Sequence, residues 1–340
     1  MGIRLTLCGK VSNVRDRLLV IQIPCLNEEA TLPTTIADLP REVDGFDRVE
    51  WLVIDDGSSD GTAAVARECG VDHVVSHRHN QGLAAAYMTG LRTALSLGAD
   101  VIVNTDADNQ YDASFIGALT DPIVSGVADM VIGGRPIQQI KEFSRSKKTL
   151  QRLGSRVVRA FSGTEVADAA SGFRAVSRAA ALRLRVFGRY TYTMETLVQA
   201  GWEGFNVLTV PVGVNTQTRE SRLVKSTPQY IFKSATTIIR TFATYKPFRF
   251  FLMIGAFFFI AGSFLITRWG FYFWFSESYS SRMPSLLTGV GSIFIAIQFC
   301  TLAFLADLLA VNRKISSEAL ALILEEKYST TIENKKNGTD

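Results

Sequence analysis

The chain contains few of the residues on which several enzyme classes depend. It has three histidines and four cysteines among 340 residues, and the cysteines lack the spacing of a zinc site. They are Cys8, Cys25, Cys69 and Cys300. Scattered thiols are typical of a reducing compartment, so neither a disulfide framework nor structural zinc is expected. The histidines, His73, His77 and His79, fall in one short stretch, which favours surface or packing roles over catalysis.

Other signals are missing as well. No Gly-x-Gly-x-x-Gly follows the first predicted strand, which argues against a dinucleotide-dependent oxidoreductase. Residues 1–17 hold basic residues without an adequate apolar run, so we predict no secretory signal there. The net charge is only +4, but in residues 219–249 seven basic residues face a single acid. This local excess favours anionic lipid headgroups or phosphate-bearing substrates as partners over nucleic acid.

Long apolar runs are present, but only beyond residue 248. Residues 250–267 and 283–306 are uncharged, and each run is long enough to cross a bilayer. Residues 268–282 between them are rich in Trp and Tyr, as at a membrane interface. Basic residues flank the pair: Arg240, Lys246 and Arg249 before it, Arg313 and Lys314 after it. The positive-inside rule then predicts an integral membrane protein with both termini in the cytoplasm; a buried helical hairpin is the alternative.

The preceding part of the chain has the pattern of an α/β domain. Short apolar runs alternate with amphipathic stretches, which predicts a mostly parallel sheet flanked by helices. Strands are predicted at 18–23, 49–54, 73–76, 101–104 and 207–212, with helices starting at Glu28 and near Thr62 and another over 83–97. Ligands of such sheets bind outside the carboxyl ends of the strands, where the loops 24–27, 55–62 and 104–110 fall.

The loop after the strand at 101–104 carries a candidate metal site. Asp106, Asp108 and Gln110 occupy alternate positions, and on an extended backbone alternate side chains point to the same side. Hard oxygen donors suit Mg²⁺ or Mn²⁺, ions that substrate phosphates usually complete. We therefore expect a nucleoside diphosphate as ligand. For the triplet taken alone, a solvated turn is the alternative.

Four motifs carry a family resemblance. In chain order they are Ile23-Pro24-Cys25-Leu26-Asn27-Glu28, Asp55-Asp56-Gly57-Ser58, Asp106-Ala107-Asp108-Asn109-Gln110 and Ser171-Gly172-Phe173-Arg174. Together they resemble the family-2 glycosyltransferases, and most of all the polyprenyl-phosphate branch. The resemblance covers about residues 18–225 and implies a GT-A fold, which is Rossmann-like with a mostly parallel sheet. The two apolar runs match the members of this branch that carry their own membrane hairpin.

Combined with the composition, the resemblance divides the chain into five segments. They are an N-terminal extension (1–17), the GT-A domain (18–225), an amphipathic juxtamembrane helix (226–248), a two-helix transmembrane hairpin (249–310) and a cytoplasmic tail (311–340). The juxtamembrane helix alternates apolar and basic residues, so we expect it in the headgroup layer; an ordinary helix packed on the domain is the alternative.

The resemblance also implies roles for individual residues. The implied nucleoside contacts are Pro24, Leu26 and Glu28, with Val53 and Asp55 holding the base and Asp106 and Ala107 against the nucleotide. The implied metal ligands are Asp106, Asp108 and Gln110. Arg135 would contact phosphate, and Arg174 would be a second phosphate contact near the acceptor, with Asp168 orienting it. A first-turn helix acid is the alternative for Glu28, and a cap is the alternative for Asp168.

The chain departs from the family pattern at one place. The mannose synthases of this branch show Arg-x-x-Gly-x-Ser-Lys after the last strand, whereas this chain has Thr216 at the Arg position and Arg222 at the Lys position. Arg219 is a candidate for supplying the missing charge. This departure puts a mannose donor in doubt. The base, UDP or GDP, also stays open, because the residues that would decide it are backbone contacts and a carboxylate usable by either.

The implied reaction is the inverting, metal-dependent transfer of a sugar from a nucleotide-sugar to a polyprenyl phosphate at the cytoplasmic face. A phosphate acceptor, with a second pKa of about 6, is largely dianionic near neutral pH, so no general base is needed. Another lipid or a polysaccharide acceptor and a non-catalytic scaffold are alternatives. A processive synthase needs Gln-x-x-Arg-Trp, and Arg268-Trp269 lacks the Gln. Homo-oligomerisation is compatible with a two-span anchor.

Overall fold

The computed structural model describes residues 16–135, 166, 168–186, 192–215, 236, 239–240, 242–244, 246–275 and 283–336. The strands in this part are β1 (Leu18–Cys25), β2 (Arg48–Asp55), β3 (His73–Ser76), β4 (Val101–Asn104), β5 (Met130–Gly134), β6 (Arg174–Ser177) and β7 (Val207–Pro211). The α-helices are α1 (Leu32–Asp38), α2 (Thr62–Glu68), α3 (Leu83–Leu97), α4 (Ile116–Val124), α5 (Arg178–Arg183), α6 (Thr193–Glu203), α7 (Pro247–Phe275) and α8 (Met283–Lys336).

The strands form one mixed, mostly parallel sheet in the order β3-β2-β1-β4-β6-β5-β7. Strand β6 runs antiparallel to both of its neighbours, β4 and β5, whereas the other pairs are parallel. The carboxyl ends of β1, β2, β4 and β5 consequently share one edge with the amino end of β6. The predicted α/β architecture is confirmed.

Helices cover both faces of the sheet, and burial on both faces explains why the sequence of β1 is continuously apolar. Leu18 and Val20 pack into the layer formed with α3, α5 and α6. Leu19 and Ile21 pack into the layer formed with α1, α2 and α4. A strand buried on both faces has no solvent side, so alternation with polar residues disappears. Gln22 is the polar exception in β1, and its amide donates to Asn104 Oδ1 at 2.9 Å.

Some predicted boundaries were wrong. Pro24 and Cys25 belong to β1 and not to a loop, because their pairing with β2 continues to Asp55. The first helix begins at Leu32, not at Glu28. Pro33 explains this, because proline is tolerated in the first helical turn but clashes with the preceding turn in a helix interior. Strand β7 ends at Pro211, one residue before the predicted end.

Helices α7 and α8 are both long and apolar enough to cross a membrane, and their spans are mostly exposed. They pack against each other as an antiparallel pair through small residues. A Cβ on Gly262 would lie 2.8 Å from the carbonyl oxygen of Gly289, so glycine permits the close approach. Both helices exceed the predicted runs: α7 continues to Phe275, and α8 passes residue 310 without a break and ends at Lys336.

The last part of α8 returns to the sheet domain. Ala321 and Tyr328 are buried in the same core layer as α3, α5 and α6. Nearer the apolar run of α8, the Arg313 guanidinium donates to the Thr244 carbonyl at 2.6 Å and lies 5.5 Å from the Trp202 ring on α6. The hairpin is therefore fastened to the sheet domain. Most of the predicted juxtamembrane helix and nearly all of the 1–17 extension lie outside the described residues, so the five-segment division stays a prediction.

Candidate active site

The predicted loops meet at the edge where β1, β2, β4 and β5 end. The loops after β1 and β2 are joined by side-chain hydrogen bonds. The backbone N–H of Asn27 donates to Ser58 Oγ at 2.9 Å, and the N–H of Ser59 donates to Asn27 Oδ1 at 2.8 Å. Asn27 has a φ of 56°, a left-handed conformation that Asn tolerates. This tight turn lets the two loops form one wall of the site.

The predicted nucleoside contacts divide into surface and core residues. Leu26 is 37% exposed on the wall, and Glu28 follows it, its carboxylate accepting from Thr31 Oγ1 at 2.6 Å. Pro24 lies within buried β1. Asp55 is buried and accepts from the Ser58 N–H at 2.9 Å. The Val53 side chain is fully buried in the core, and a contact of this residue with the base stays a prediction.

Asp56 is a site-edge residue that sequence reasoning missed. It is buried, with Oδ1 2.6 Å from His77 Nδ1, and it accepts from the N–H groups of Gln81 and Gly82 at 2.9 and 2.7 Å. His77 Nε2 lies 2.9 Å from Thr89 Oγ1. Asp56 thereby fixes the loop that leads into α3. The position of Asp56 beside Asp55 in an acidic turn was the sequence signal that could have identified it. His77 has the packing role that was expected.

The acidic loop after β4 is a turn and not the extended segment that was predicted. Asn109 adopts a φ of 55°, and the backbone N–H of Gln110 folds back to donate to Asp108 Oδ1 at 3.1 Å. The argument from alternation was therefore wrong for this loop. The Gln110 carbonyl accepts from the Asn215 N–H at 2.9 Å, which fastens the turn to the chain after β7. A role for the Gln110 side chain in metal binding stays a prediction.

Ala107 lies at the base of the acidic turn. Its side chain is buried in the core layer formed with α1, α2 and α4. Its carbonyl accepts from Thr35 Oγ1 of α1 at 3.0 Å. Ala107 therefore anchors the turn from below, and its implied place against the nucleotide stays a prediction.

Asp106 carries the clearest electrostatic sign of a cation site. Burial and the nearby Asp108 carboxylate raise its pKa to about 7, although Arg135 and Arg174 act in the opposite direction. Two carboxylates this close are unfavourable together unless a cation lies between them. A divalent ion with oxygen ligands fits this donor pair, and substrate phosphates would complete its shell. No cluster of three or more His, Cys, Asp or Glu side chains with metal-site geometry occurs among the described residues.

Arg135 lies at the end of β5 on the same edge. Its guanidinium forms a two-point ion pair with Asp168, with Nε–Oδ2 at 2.7 Å and a second contact of 3.2 Å. Both side chains are nearly buried, at 8% and 1% exposed. The guanidinium also lies 5.8 Å from the Tyr111 ring. Asp168 thus orients Arg135, whereas the resemblance implied that it orients Arg174. Asp168 also accepts from the Ala170 N–H at 3.2 Å, as a cap would.

Arg174 was predicted to contact phosphate, but it is fully buried at the start of β6. Its guanidinium donates to Thr196 Oγ1 at 2.7 Å, to the Thr193 carbonyl at 3.2 Å and to the carbonyl of Ser171. It therefore ties the amino end of α6 to the loop before β6. No face of the side chain reaches solvent in this structure, and a direct contact with a phosphate ligand stays a prediction.

Replacement of Arg174 by methionine is expected to lower the free energy of unfolding by about 3 kcal/mol or more. The change leaves buried acceptors in α6 and in the loop before β6 without donors. Thermal unfolding of the purified protein measures the effect, with Arg67→Met on the exposed face of α2 as the matched control. Unchanged stability together with a weaker affinity for a phosphate ligand would show instead that Arg174 contacts phosphate.

Gly172 lies directly beneath Asp106. Its backbone N–H donates to the Tyr111 hydroxyl and its carbonyl accepts from Asn104 Nδ2, both at 2.9 Å. A Cβ at this position would come within 2.8 Å of Asp106 Oδ2. Tyr111 and Asn104, which sequence reasoning did not select, thus hold the peptide that supports the acidic turn. Arg219, Arg222 and Thr216 lie outside the described residues, and their roles stay predictions.

Comparisons with known proteins agree with this geometry. A family model described as Glycosyl transferase family 2 matches residues 20–185. The UDP-N-acetylglucosamine–dolichyl-phosphate N-acetylglucosaminyltransferase of Methanococcus voltae is 30% identical over 58% of this chain and 85% of its own length. The polyprenol monophosphomannose synthase of Mycolicibacterium smegmatis is 30% identical over 58% of this chain and 77% of its own length.

A solved structure shares the fold. It is glucosyl-3-phosphoglycerate synthase from Mycobacterium tuberculosis in complex with Mn²⁺, uridine diphosphate and glucosyl-3-phosphoglycerate. It superimposes with a TM-score of 0.53 at 21% identity and covers 67% of this chain and 79% of that chain. At this level of identity the likeness establishes the GT-A fold alone.

Proposed function

This chain belongs to glycosyltransferase family 2, and from that premise we propose that it transfers a sugar from a UDP- or GDP-linked donor to a polyprenyl phosphate at the cytoplasmic membrane face. The observation that carries the proposal is the Asp106–Asp108 pair beside the Arg135–Asp168 ion pair, on a domain fastened to a membrane hairpin. Relatives whose names state dolichyl-phosphate or polyprenol substrates support the acceptor.

On the donor side, the negative charge of the leaving nucleoside diphosphate must be neutralised. Asp106 and Asp108, with Gln110 as a further candidate, would hold Mg²⁺ or Mn²⁺ against the diphosphate; when bound, the ion stabilises the negative charge that develops there. The related structure that contains Mn²⁺ and uridine diphosphate supports a divalent ion for this fold. Arg135 is oriented by Asp168 and adds a fixed positive charge on the same side. Leu26 and Glu28 would border the nucleoside.

On the acceptor side, the phosphate must be positioned, but it does not need to lose a proton. An acceptor phosphate oxygen attacks the anomeric carbon, and the bond to the diphosphate breaks with its electron pair leaving on the diphosphate oxygen. A dianionic phosphate brings no proton to remove, so the reaction balances without a general base. In-line attack inverts the anomeric configuration. Lys246, just before α7, and Arg249 in its first turn would attract the lipid headgroups around the acceptor.

The deciding experiment is a transfer assay with the purified full-length protein in lipid. Radiolabelled UDP- and GDP-sugars are offered with undecaprenyl or dolichyl phosphate, with Mg²⁺, Mn²⁺ or EDTA. We expect metal-dependent label in the lipid phase from one class of donor. Metal-dependent hydrolysis without lipid product would mean a different acceptor, and no turnover with any donor would support the scaffold alternative.

A further inference from the structure

Two tyrosine rings are stacked on each other in the core layer formed with α3, α5 and α6. Tyr87 belongs to α3, and Tyr192 immediately precedes α6. The ring centroids are 3.9 Å apart, the ring planes differ by 7°, and neither side chain reaches solvent. The two side chains therefore share one environment and the same burial, but their hydroxyl groups have different surroundings.

The Tyr192 hydroxyl contacts two groups that support the acidic turn. It accepts from Asn104 Nδ2 at 2.8 Å and donates to the Gly172 carbonyl at 3.4 Å. Asn104 Nδ2 also donates to that carbonyl, at 2.9 Å. An amide nitrogen carries two hydrogens, so Asn104 serves both oxygen atoms at once. The three residues thus form a closed triangle of hydrogen bonds, which we name the hydroxyl triangle.

The hydroxyl triangle is held in place by its neighbours. The Gln22 amide donates to Asn104 Oδ1 at 2.9 Å, which fixes the end of the Asn104 amide that faces Tyr192. The Tyr192 carbonyl accepts from Thr196 Oγ1 at 2.8 Å, and the Arg174 guanidinium lies 5.3 Å from the Tyr192 ring. The Tyr192 hydroxyl is therefore presented from a fixed position at the amino end of α6.

The Tyr87 hydroxyl differs, because it has no hydrogen-bond partner among the described residues. A buried hydroxyl without a partner does not stabilise the fold, so its removal costs little. The same change in Tyr192 would leave one hydrogen of Asn104 Nδ2 without an acceptor and would take one donor from the Gly172 carbonyl. The stacked pair therefore offers two equivalent phenol groups, of which only one holds another part of the site.

The hydroxyl triangle lies against Asp106. Asn104 precedes Asp106 by two residues, and a Cβ on Gly172 would lie 2.8 Å from Asp106 Oδ2. A Gly172 peptide that has lost one of its donors is free to tilt, and the carboxylate packed against it then moves with it. The direction of the Asp106 carboxylate consequently depends on the Tyr192 hydroxyl, although the two side chains are joined only through other residues.

We propose that Tyr192 is a positioning residue for the metal site, whose hydroxyl acts through Asn104 and Gly172 to fix the Asp106 carboxylate. The inference rests on the proposed function in one respect, namely that Asp106 is a ligand of the divalent ion. Loss of a group that orients a metal ligand typically weakens metal binding by a factor of about 10 to 100. We expect an effect at the lower end of this range, because Asn104 still holds the Gly172 carbonyl.

Binding of Mn²⁺ measures the effect without turnover. Electron paramagnetic resonance of free Mn²⁺ gives the affinity of the purified full-length protein in lipid, with UDP and, in parallel, with GDP. Tyr192→Phe keeps the stacked ring and is expected to weaken Mn²⁺ binding about tenfold with the nucleotide that binds more tightly. Tyr87→Phe is the matched control, because it removes the unpartnered hydroxyl of the same stack, and it should stay within about twofold of the wild type.

Thermal unfolding and transfer kinetics distinguish positioning from packing. We expect the activity of Tyr192→Phe to be low at limiting Mn²⁺ and to recover at saturating Mn²⁺. A lower unfolding temperature with unchanged Mn²⁺ affinity would overturn the proposal, since the hydroxyl would then only stabilise the core. Equal weakening by Tyr87→Phe would also overturn it. Wild-type protein that binds no Mn²⁺ with either nucleotide would contradict the proposed metal-dependent function itself, and this inference with it.

A double-mutant cycle tests the route through Gly172. If Tyr192 acts through the Gly172 peptide, Tyr192→Phe combined with Gly172→Ala should weaken Mn²⁺ binding by less than the product of the two single effects. Single effects that multiply would show that the hydroxyl and the Gly172 peptide act on the site independently, which would overturn this route.

Discussion

Replacement of Asp108 by asparagine is expected to lower the kcat/KM for sugar transfer by a factor of about 10² to 10³. The substitution keeps the shape of the side chain and an oxygen that accepts from the Gln110 N–H, so the turn should stay folded. It removes one of the two negative charges that would hold a divalent ion against the diphosphate. Transition-state stabilisation lost with one such electrostatic group is typically of this size.

Two measurements make this result specific. Titration with Mn²⁺ at saturating donor should show a weaker apparent metal affinity, while the thermal unfolding temperature stays within a few degrees. Asp121→Asn, on the exposed face of α4, is the matched control and should retain full activity. Retention of more than about a tenth of the wild-type kcat/KM by Asp108→Asn would show that the metal is held elsewhere or is not needed.

Replacement of Gly172 by alanine is expected to reduce kcat/KM by about 10²-fold, although it adds a single methyl group. The new Cβ would stand 2.8 Å from Asp106 Oδ2 and 2.9 Å from Oδ1, which is closer than non-bonded atoms allow. The backbone beneath cannot move away easily, because Tyr111 and Asn104 hold both sides of the Gly172 peptide. The carboxylate must therefore shift, and a displacement of about 1 Å in a reacting site can cost this much.

Steady-state kinetics and calorimetric binding of a nucleoside diphosphate with Mn²⁺ measure the effect. Gly117→Ala is the matched control, since nothing lies within 4 Å of a Cβ there and alanine favours the helix. Wild-type kinetics for Gly172→Ala would mean that Asp106 has room to move or that it does not position the reacting groups. A loss of folding instead of activity would place the strain in the backbone and not in the carboxylate.

The predicted bounds were correct for some elements and wrong for others, and the reasons are physical. β3, α3 and β4 matched their predicted bounds, because their apolar periods and flanking turn residues depend on local interactions only. The end of β1 was misplaced because proline is uncommon inside strands, whereas Pro24 continues the pairing of β1 with β2. The acidic turn was predicted to be extended because the sequence does not show that Asn215, 106 residues away, stabilises the left-handed Asn109.

The site residues divide in the same way. Asp106 and Asp108 could be proposed as site residues from the sequence, because their residue types and spacing indicate a possible chemistry before the chain folds. The partner of Asp168 was not, because Arg174 lies six residues from it in the chain whereas its actual partner, Arg135, lies 33 residues away, and only packing decides which guanidinium turns toward it. Arg174 carries a charge, yet the fold buries it, and no local pattern indicates that α6 supplies its acceptors.

The sequence by itself determined the α/β class, the presence of two apolar helices and the acidic pair, because composition, periodicity and residue chemistry are properties of short segments. Only the tertiary structure decided that β6 runs antiparallel and brings Gly172 beneath Asp106, that Asp168 orients Arg135, and that α8 continues past its apolar run to pack Ala321 and Tyr328 against the sheet domain. Each of these joins residues distant in the chain, and the free energy that selects among such contacts comes from burial and hydrogen bonding in the assembled fold.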